Sequence, residues 1–320
     1  MTKNKVIAAA VTFRPDHDAL TNLISATKEQ VDEIIIIDNT PQHLFDLDSN
    51  KEINLKIVHL PDNMGIAYAQ NIAIEYAIKQ KYDYILFLDQ DSVPTPHMVN
   101  TLLKCFCELC ATGNKVAITA PVTIDARTNI ESPFLVLKNG YPVREAKKDT
   151  AEAIHVTEAC FLISSGSLVS LEAIQAIGGN RSGYFIDHVD TEWCMRALCK
   201  GYKLYGVNDA RLIHEIGDHA QTIPFMKNRQ VSHHAPYRDY YMFRNTIFCI
   251  KDVAGLYSLK LFLILRLFYF CLFFITFAPN RLLRIRMIFL GLFHGLTGID
   301  GKLNAESSHC MAIPKSNIEF

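Results

Sequence analysis

The chain reads as an α/β protein with a Rossmann-like, mostly parallel central sheet flanked by helices. Three observations predict this. Apolar, β-prone segments alternate with helical ones over the first 120 residues. Glu33–Asp38 carries four consecutive isoleucines, the pattern of a strand buried on both faces. Aspartates close two such strands, Asp38 in one case and Asp89 with Asp91 in the other. Alternation of this kind builds βαβ units, and parallel sheets bind ligands beyond the carboxyl ends of their strands.

Taken in order, Lys5–Phe13 is the first strand, Asp18–Thr27 a helix, and Glu33–Asp38 the isoleucine strand. Asn54–Leu60 is a third strand, and Asn63-Met64-Gly65 opens an Ala-rich helix to Lys79. Tyr84–Leu88 is a buried strand ending in Asp89-Gln90-Asp91; a helix over His97–Ala111 and a strand at Val116–Pro121 follow. Residues 122–158 are polar and irregular, with hairpin-like segments. Cys160–Ser164 is apolar, and Leu171–Ile177 is a short helix stopped by Gly178-Gly179. Asp187–Lys200 is helical with acids at its start, where the helix dipole favours them, and Lys203–Val207 is strand-like.

With 320 residues the chain can bury a substantial core. Its 32 basic and 33 acidic residues give a net charge of −1, which excludes a global basic field for nucleic acid. The 49% apolar content excludes a disordered chain. Charge is unevenly placed: residues 1–252 carry a net −5 and residues 253–320 a net +4, with no acid between Asp252 and Asp300. One catalytic domain over 1–252 and a C-terminal extension over 253–320 is the simplest partition. Nine cysteines without a framework spacing, and no signal-peptide pattern, favour a reducing, cytoplasmic location. Cys105, Cys107 and Cys110 suggest a zinc site, but offsets of two and five do not share a helical face, so packing is the better reading.

Several segments carry chemistry. Asp89-Gln90-Asp91 places two carboxylates on a turn at a strand end, where they can share Mg²⁺ or Mn²⁺ and leave positions open for phosphate oxygens. The plainer alternative is a solvated turn with capping aspartates. Phe185–Arg196 packs Asp187, Asp190, Glu192, His188 and the lone Trp193 into twelve residues. A carboxylate at this helix start can serve as a general base, or the segment is an N-capped helix with an acidic first turn. His214, after a strand, is a metal ligand or a structural histidine. Tyr240-Tyr241-Met242-Phe243-Arg244-Asn245 offers an aromatic wall beside a guanidinium, for sugar stacking and phosphate pairing, or a helix packing face.

In combination these segments resemble glycosyltransferase family 2. The likeness rests on Val-Thr-Phe at 11–13, Ile-Asp-Asn-Thr at 37–40, Asp-Asn-Met-Gly-Ile-Ala at 62–67 with Asn71, and Phe-Leu-Asp-Gln-Asp-Ser at 87–92. Asp-His-Val-Asp-Thr-Glu-Trp-Cys-Met-Arg at 187–196, His-Glu-Ile-Gly at 214–217 and Tyr-Met-Phe-Arg-Asn at 241–245 are similar to its bacterial rhamnosyltransferase branch. The resemblance covers residues 6–250. It implies the GT-A fold, a nucleotide-sugar donor, a divalent cation (Mg²⁺ or Mn²⁺) and inversion at the anomeric carbon. It assigns Asp38 to the nucleobase or ribose and Thr12, Asn63, Gly65, Asn71 and Gln90 to the nucleotide-sugar site. Asp89 and Asp91 take the ribose–diphosphate and metal, with His214 as a further ligand. Asp190 takes the position of the catalytic base, although Val189 stands where the family has Glu, which keeps Glu192 and Asp187 as alternatives. Arg244 is assigned to the diphosphate or the acceptor.

Leu261–Ala278 has 16 apolar residues of 18, interrupted by Arg266 and Thr276; Pro279-Asn280 breaks it, and Arg281, Arg284 and Arg286 open a second apolar stretch to Leu296. A spanning helix needs about 20 apolar residues. Two apolar helices around a Pro-Asn turn, edged with arginines, fit a monotopic hairpin on an anionic membrane surface; a buried core or a homo-oligomer interface is the alternative. The reading is an inverting glycosyltransferase, cytoplasmic and peripheral at the inner face of the cell membrane. It moves L-rhamnose from dTDP-L-rhamnose onto a polysaccharide or lipid-linked acceptor of a cell-surface glycan. Two rivals remain: a haloacid-dehalogenase-type phosphatase with Asp89 as nucleophile, and a catalytically silent membrane adaptor on the same fold.

Overall fold

The computed structural model describes residues 4–41, 54–145, 155–214, 219–222, 230–233 and 235–303. The chain runs β1 (Val6–Thr12), α1 (His17–Thr27), β2 (Glu33–Asp38), β3 (Leu55–His59), α2 (Ile66–Lys79), β4 (Tyr84–Asp89), β5 (Val93–Pro94) and α3 (Met98–Ala111). It continues with β6 (Val116–Asp125), β7 (Phe134–Lys138), β8 (Tyr141–Glu145), β9 (Val156–Ala159), β10 (Leu168–Ser170) and α4 (Leu171–Ile177). Then come a 3₁₀ turn at Ser182–Tyr184, α5 (Val189–Cys199), β11 (Lys203–His214), β12 (His219–Thr222), β13 (Gln230–His233), α6 (Pro236–Asp252), α7 (Tyr257–Thr276) and α8 (Arg281–Thr297).

Contacts divide the chain into two compact units. One comprises Met1–Arg181 with Asp190–Glu215, the other Ser182–Val189 with Ile216–Phe320. The boundary expected at residue 252 is therefore displaced: α6 packs with the C-terminal helices, because its apolar face and theirs bury one another.

The first unit is built on a nine-stranded sheet of order β3-β2-β1-β4-β10-β6-β11-β5, with β9 on β11. Neighbours β3, β2, β1 and β4 are parallel, as are β6 and β11, whereas β10, β5 and β9 run the other way. The isoleucines of β2 explain the two-sided burial. Ile35 and Ile37 join a core with Ala69 and Ala73 of α2, while Ile34 and Ile36 join a core with Leu20 and Leu23 of α1. Side chains alternate across a strand, so four apolar residues in a row supply both faces. Helix α1 starts where the Asp16 side chain accepts the Ala19 N–H, satisfying one orphan donor of the first turn. Ser170 caps α4 in the same way through Ala173.

The hairpin-like stretch within 122–158 resolves into β7 paired antiparallel with β8. Strand β11 runs to His214, seven residues past its expected end. A register shift between Val207 and Arg211 absorbs the turn-like Asn208-Asp209. Strands β5 and β10, two and three residues long, are too short to show a period. Cys105 is buried while Cys107 and Cys110 are exposed, as their helical offsets require.

In the second unit, α8 lies backbone-close on α6: a Cβ at Gly291 would fall 2.5 Å from the Tyr240 carbonyl oxygen, and one at Gly295 3.0 Å from that of Arg244. Arg284 of α8 and Asp239 of α6 form a buried ion pair at 2.6 Å.

Candidate active site

Strand direction carries Thr12, Asp38, Asp89 and His214 to the same edge of the sheet, since β1, β2, β4 and β11 all end there. Thr12 and Asp38 are ladder partners. Thr12 Oγ1 donates to Asp38 Oδ1 at 3.2 Å and the Thr40 N–H donates to the same oxygen at 3.0 Å. Asp38 Oδ2 faces His59 Nδ1 at 2.9 Å. Asp38 is fully buried, so it works through these neighbours: it fixes His59, whose side chain is 38% exposed, at the edge. Next to it, Asn39 Oδ1 accepts the Met64 N–H at 3.0 Å and Asn63 Oδ1 accepts the Gly65 N–H at 3.0 Å. Gly65, at φ 84°, takes a backbone conformation that side-chain-bearing residues rarely adopt, and it turns the loop into α2.

Of the other residues assigned to the donor, Gln90 Oε1 accepts the Phe13 N–H at 2.8 Å, which ties the acidic turn to the end of β1. Asn71 is engaged elsewhere. Its Nδ2 donates to the Asn180 carbonyl at 2.7 Å and its Oδ1 accepts the Asn180 N–H at 2.8 Å, so it staples the Gly178-Gly179-Asn180 segment to α2.

The acidic pair closes β4. His214 Nδ1 stands 3.2 Å from Asp91 Oδ1, and its Nε2 stands 3.7 Å from Asp89 Oδ2. Both carboxylates are about one-third exposed, at 36% and 35%, and the imidazole is 14% exposed. Among the described residues no group of three or more His, Cys, Asp or Glu is placed to hold a metal ion. The carboxylate pair Asp89 and Asp91, at a half-open edge, is of the hard-oxygen donor type that Mg²⁺ or Mn²⁺ takes when phosphate oxygens or water fill its other positions.

Sequence reasoning missed the support beneath this pair. Ser165 Oγ accepts the Asp89 N–H at 3.3 Å and lies 2.6 Å from Ser92 Oγ. Gly166, at φ 81°, lets the 164–167 turn pass so close that a Cβ would meet Pro121 Cγ at 2.8 Å and Leu212 Cδ2 at 2.9 Å. The run Ser-Ser-Gly-Ser ahead of an apolar strand was the available signal.

Asp190 stands in the first turn of α5, partly exposed, with Oδ1 accepting the Thr191 N–H at 2.7 Å. It borders a recess shared with Gln70, Leu162, Ser164, Asn180 and Trp193. The two other carboxylates weighed for the base are committed. Glu192 is 1% exposed, pairing with Arg196 at 2.7 Å and Arg181 at 2.9 Å. Asp187, in the second unit, pairs with Arg238 at 2.6 Å. The expectation that Glu192 acts in catalysis is thus corrected: its carboxylate is enclosed between two guanidinium groups.

Arg244 requires a second correction. Expected at the diphosphate or acceptor, it is fully buried in the second unit. Its donors go to Asn245 Oδ1, the Tyr240 hydroxyl and the carbonyls of Gly183, Tyr184 and Gly301. Tyr240 and Tyr241 are buried beside it. Of the two readings of the Tyr240–Asn245 segment, the packing face is the one realised. Of the 214–218 segment, only His214 falls within the described residues.

A parallel-sheet unit with an acidic pair at its carboxyl edge, and a separate carboxylate bordering a recess, is the arrangement of a nucleotide-sugar glycosyltransferase. The glycosyl transferase family 2 model matches residues 11–170. The dTDP-rhamnosyl transferase RfbF of Shigella flexneri is 32% identical over 258 residues, 78% of this chain and 80% of that one. The chain belongs to glycosyl transferase family 2 and is an inverting glycosyltransferase. Among solved structures, the crystal structure of S. aureus TarS is similar with a TM-score of 0.55 at 12% identity, over 86% of this chain and 44% of that one. GalNAc-T7 with UDP, GalNAc and Mn²⁺ is similar with a TM-score of 0.55 at 13% identity, over 87% and 58%. These likenesses are to the GT-A fold. Membership of the family removes the phosphatase reading of Asp89.

Proposed function

We propose that this chain transfers L-rhamnose from dTDP-L-rhamnose to a saccharide or lipid-linked acceptor in the synthesis of a cell-surface glycan. The observation that carries this reading is the alignment to the dTDP-rhamnosyl transferase across four-fifths of that protein's length. Thr12, Asp38, His59, Asn63 and Gly65 form the nucleoside end of the donor site, and Asp89 and Asp91, with His214 beside them, would hold Mg²⁺ or Mn²⁺. That cation would supply neutralisation of charge on the leaving diphosphate. Asp190 takes the proton of the acceptor hydroxyl as that oxygen bonds to the anomeric carbon. The anomeric C–O bond to the diphosphate breaks, and the diphosphate leaves with the electron pair. One displacement inverts the centre, and no covalent enzyme intermediate is required.

The second unit favours attachment to the cytoplasmic face of a membrane. Helix α7 has 20 residues, and its most apolar 18-residue window has a mean hydropathy of 2.1 and is only 22% buried. Such a helix is about 30 Å long. Leu261, Leu265, Phe268, Leu272 and Ile275 are exposed along it at helical spacing, and Leu282, Phe289, Phe293 and Leu296 repeat the pattern on α8. Arg266, Arg281 and Arg286 are exposed on the same helices, as an anionic surface requires.

The test is incubation of the purified chain with a panel of nucleotide sugars and Mn²⁺, scoring nucleotide release and product anomer. Release from dTDP-L-rhamnose with inversion is expected. Release from a different donor alone overturns the rhamnosyl assignment.

A further inference from the structure

The strap Ile177–Arg181, which follows α4, is held by side chains of two helices. From α5, Trp193 Nε1 donates to the Gly178 carbonyl at 2.8 Å. Arg196 donates through Nη1 to the Ile177 carbonyl at 3.1 Å and through Nη2 to the Gly179 carbonyl at 2.8 Å. Glu192 adds an ion pair to Arg181 at 2.9 Å. From α2, Asn71 Nδ2 donates to the Asn180 carbonyl at 2.7 Å, and Asn71 Oδ1 accepts the Asn180 N–H at 2.8 Å. Gln70 Oε1 accepts from Asn180 Nδ2 at 2.8 Å. The approach is close: a Cβ at Gly179 would fall 2.7 Å from Asn71 Oδ1.

Each helix carries a different part of the proposed reaction. Helix α5 bears Asp190 in its first turn, and Glu192, Trp193 and Arg196 hold the strap from the same helix. Helix α2 starts at Ile66, directly after the Asn63-Met64-Gly65 loop of the nucleoside end. Two bonds from one amide to the backbone of one residue fix both distance and rotation, as a strand neighbour does. The strap therefore sets where the helix of the base stands against the helix of the donor loop. A general base must lie within hydrogen-bond reach of the proton it takes, and a misplacement of about 1 Å can cost about 10²-fold in rate.

We infer that Asn71 is a positioning residue for Asp190, acting through the Gly178-Gly179-Asn180 strap and touching neither donor nor acceptor. The inference rests on the reading of Asp190 as the base. Loss of the Asn71 amide frees the strap on the α2 side alone, because Trp193 and Arg196 still tie it to α5. Helix α5 and the strap then shift as one against α2, and the carboxylate moves with them. The residues that form the nucleoside end keep their own hydrogen bonds, so nucleotide affinity is retained while turnover falls.

The experiment uses the full chain with Mn²⁺ and scores dTDP release from dTDP-L-rhamnose, with water as the attacking hydroxyl; calorimetry with dTDP reads the nucleotide end separately. Asn71→Ala should lower kcat about 10- to 10²-fold with dTDP affinity nearly unchanged. Gly179→Ala adds a methyl group that meets Asn71 Oδ1 and removes no group that could bind a nucleotide; it should give the same pattern. The two together should cost little more than either alone, since both act on one contact. Added to Asp190→Asn, Asn71→Ala should cost less than about threefold, because the group it acts through is gone. If Asn71→Ala loses dTDP affinity while Gly179→Ala keeps it, Asn71 binds the nucleotide directly and the inference is overturned. If both variants lose it, Asn71 is a folding staple and the inference is again overturned. A full further loss in the Asp190→Asn background also overturns it, since Asn71 then acts on something other than the base. These three outcomes leave the reading of Asp190 standing. Near-normal turnover of Asp190→Asn by itself overturns that reading and this inference with it.

Discussion

The amide nitrogen of Asn245 donates to the carbonyl of Asp187 at 2.8 Å, and also to those of Ile186 and Tyr184 at 2.8 and 2.9 Å. Three carbonyls converge on one amide because the segment is left-handed at Phe185, Asp187 and His188, with φ of 64°, 63° and 60°. Such conformations cost of order 1–3 kcal/mol each for residues other than glycine, and they persist because Asn245 and Arg244 over-determine the turn. Asn245→Ala leaves those buried carbonyls without their donor. We expect it to lower stability by about 2 kcal/mol. Asn245→Asp, which cannot donate to them, should be at least as damaging. Chemical denaturation of the two variants checks this; an unchanged midpoint overturns it.

Glu192 and Asp190 sit two residues apart and separate cleanly by test. Asp190→Asn should lower turnover about 10²–10⁴-fold, the range of general-base loss, with dTDP affinity nearly unchanged. Glu192→Gln should act on the fold, since it removes the charge that holds Arg181 and Arg196. Melting temperature should fall with Glu192→Gln and hold with Asp190→Asn. If turnover vanishes in a stable Glu192→Gln while Asp190→Asn runs normally, the base is Glu192.

How much of this was legible in the sequence follows from which interactions are local. Asp89, Asp91 and the strand before them are contiguous, so period and charge exposed them together. The role of Asp38 was visible only as a strand-end acid. Its burial depends on Thr12 and His59, which lie 26 and 21 residues away. Arg244 looked like a ligand-facing guanidinium because nothing in Tyr-Tyr-Met-Phe-Arg-Asn reveals that its acceptors are the carbonyls of Gly183, Tyr184 and Gly301. A buried arginine satisfied by main-chain carbonyls has no sequence signature. Strands β5 and β10 were invisible for a different reason, since two or three residues cannot display alternation.

The cation assignment predicts a linkage. Asp91→Asn keeps the side-chain shape and removes one charge from the Asp89, Asp91 and His214 group. Calorimetry should find dTDP binding strengthened by Mn²⁺ in the wild type and insensitive to Mn²⁺ in the variant. Equal Mn²⁺ dependence in both sinks the assignment of Asp91 as a ligand.

His188 gives the second unit a pH dependence. Burial holds its imidazole well below the usual value, down to about 4, with Arg266 pushing the same way and Asp187 opposing. Its Nε2 lies 3.0 Å from Thr246 Oγ1. The folded chain keeps this histidine neutral where the unfolded chain, with an ordinary value of 6.5, takes up a proton. The unfolded state then binds more protons between pH 6.5 and about 4, so stability falls as pH drops through that window and is fully present above it. His188→Gln should flatten this part of the profile. Denaturation midpoints at pH 7.5, 5.5 and 4.5 check it; parallel profiles for wild type and variant overturn it.

The ion pair of Arg284 with Asp239 bears on how the C-terminal helices can be tested. The pair is 2–3% exposed and lies between α8 and α6, so cutting the chain after Asp252 removes both Arg284 and the helices that bury this face. It also uncovers Tyr240, Tyr241 and Phe243 of α6, which pack on Met287, Leu290, Ile288, Phe273 and Phe274 of the removed helices. Truncation is therefore expected to unfold the second unit and cannot isolate a membrane function. Substitution of exposed residues can. Phe268→Ser with Leu272→Ser removes two apolar side chains that are 72% and 55% exposed on α7. The double variant should keep its melting temperature and lose sedimentation with anionic liposomes, while the wild type pellets with them and pellets less as salt rises. Equal sedimentation of variant and wild type would show that this face of α7 does not meet the bilayer.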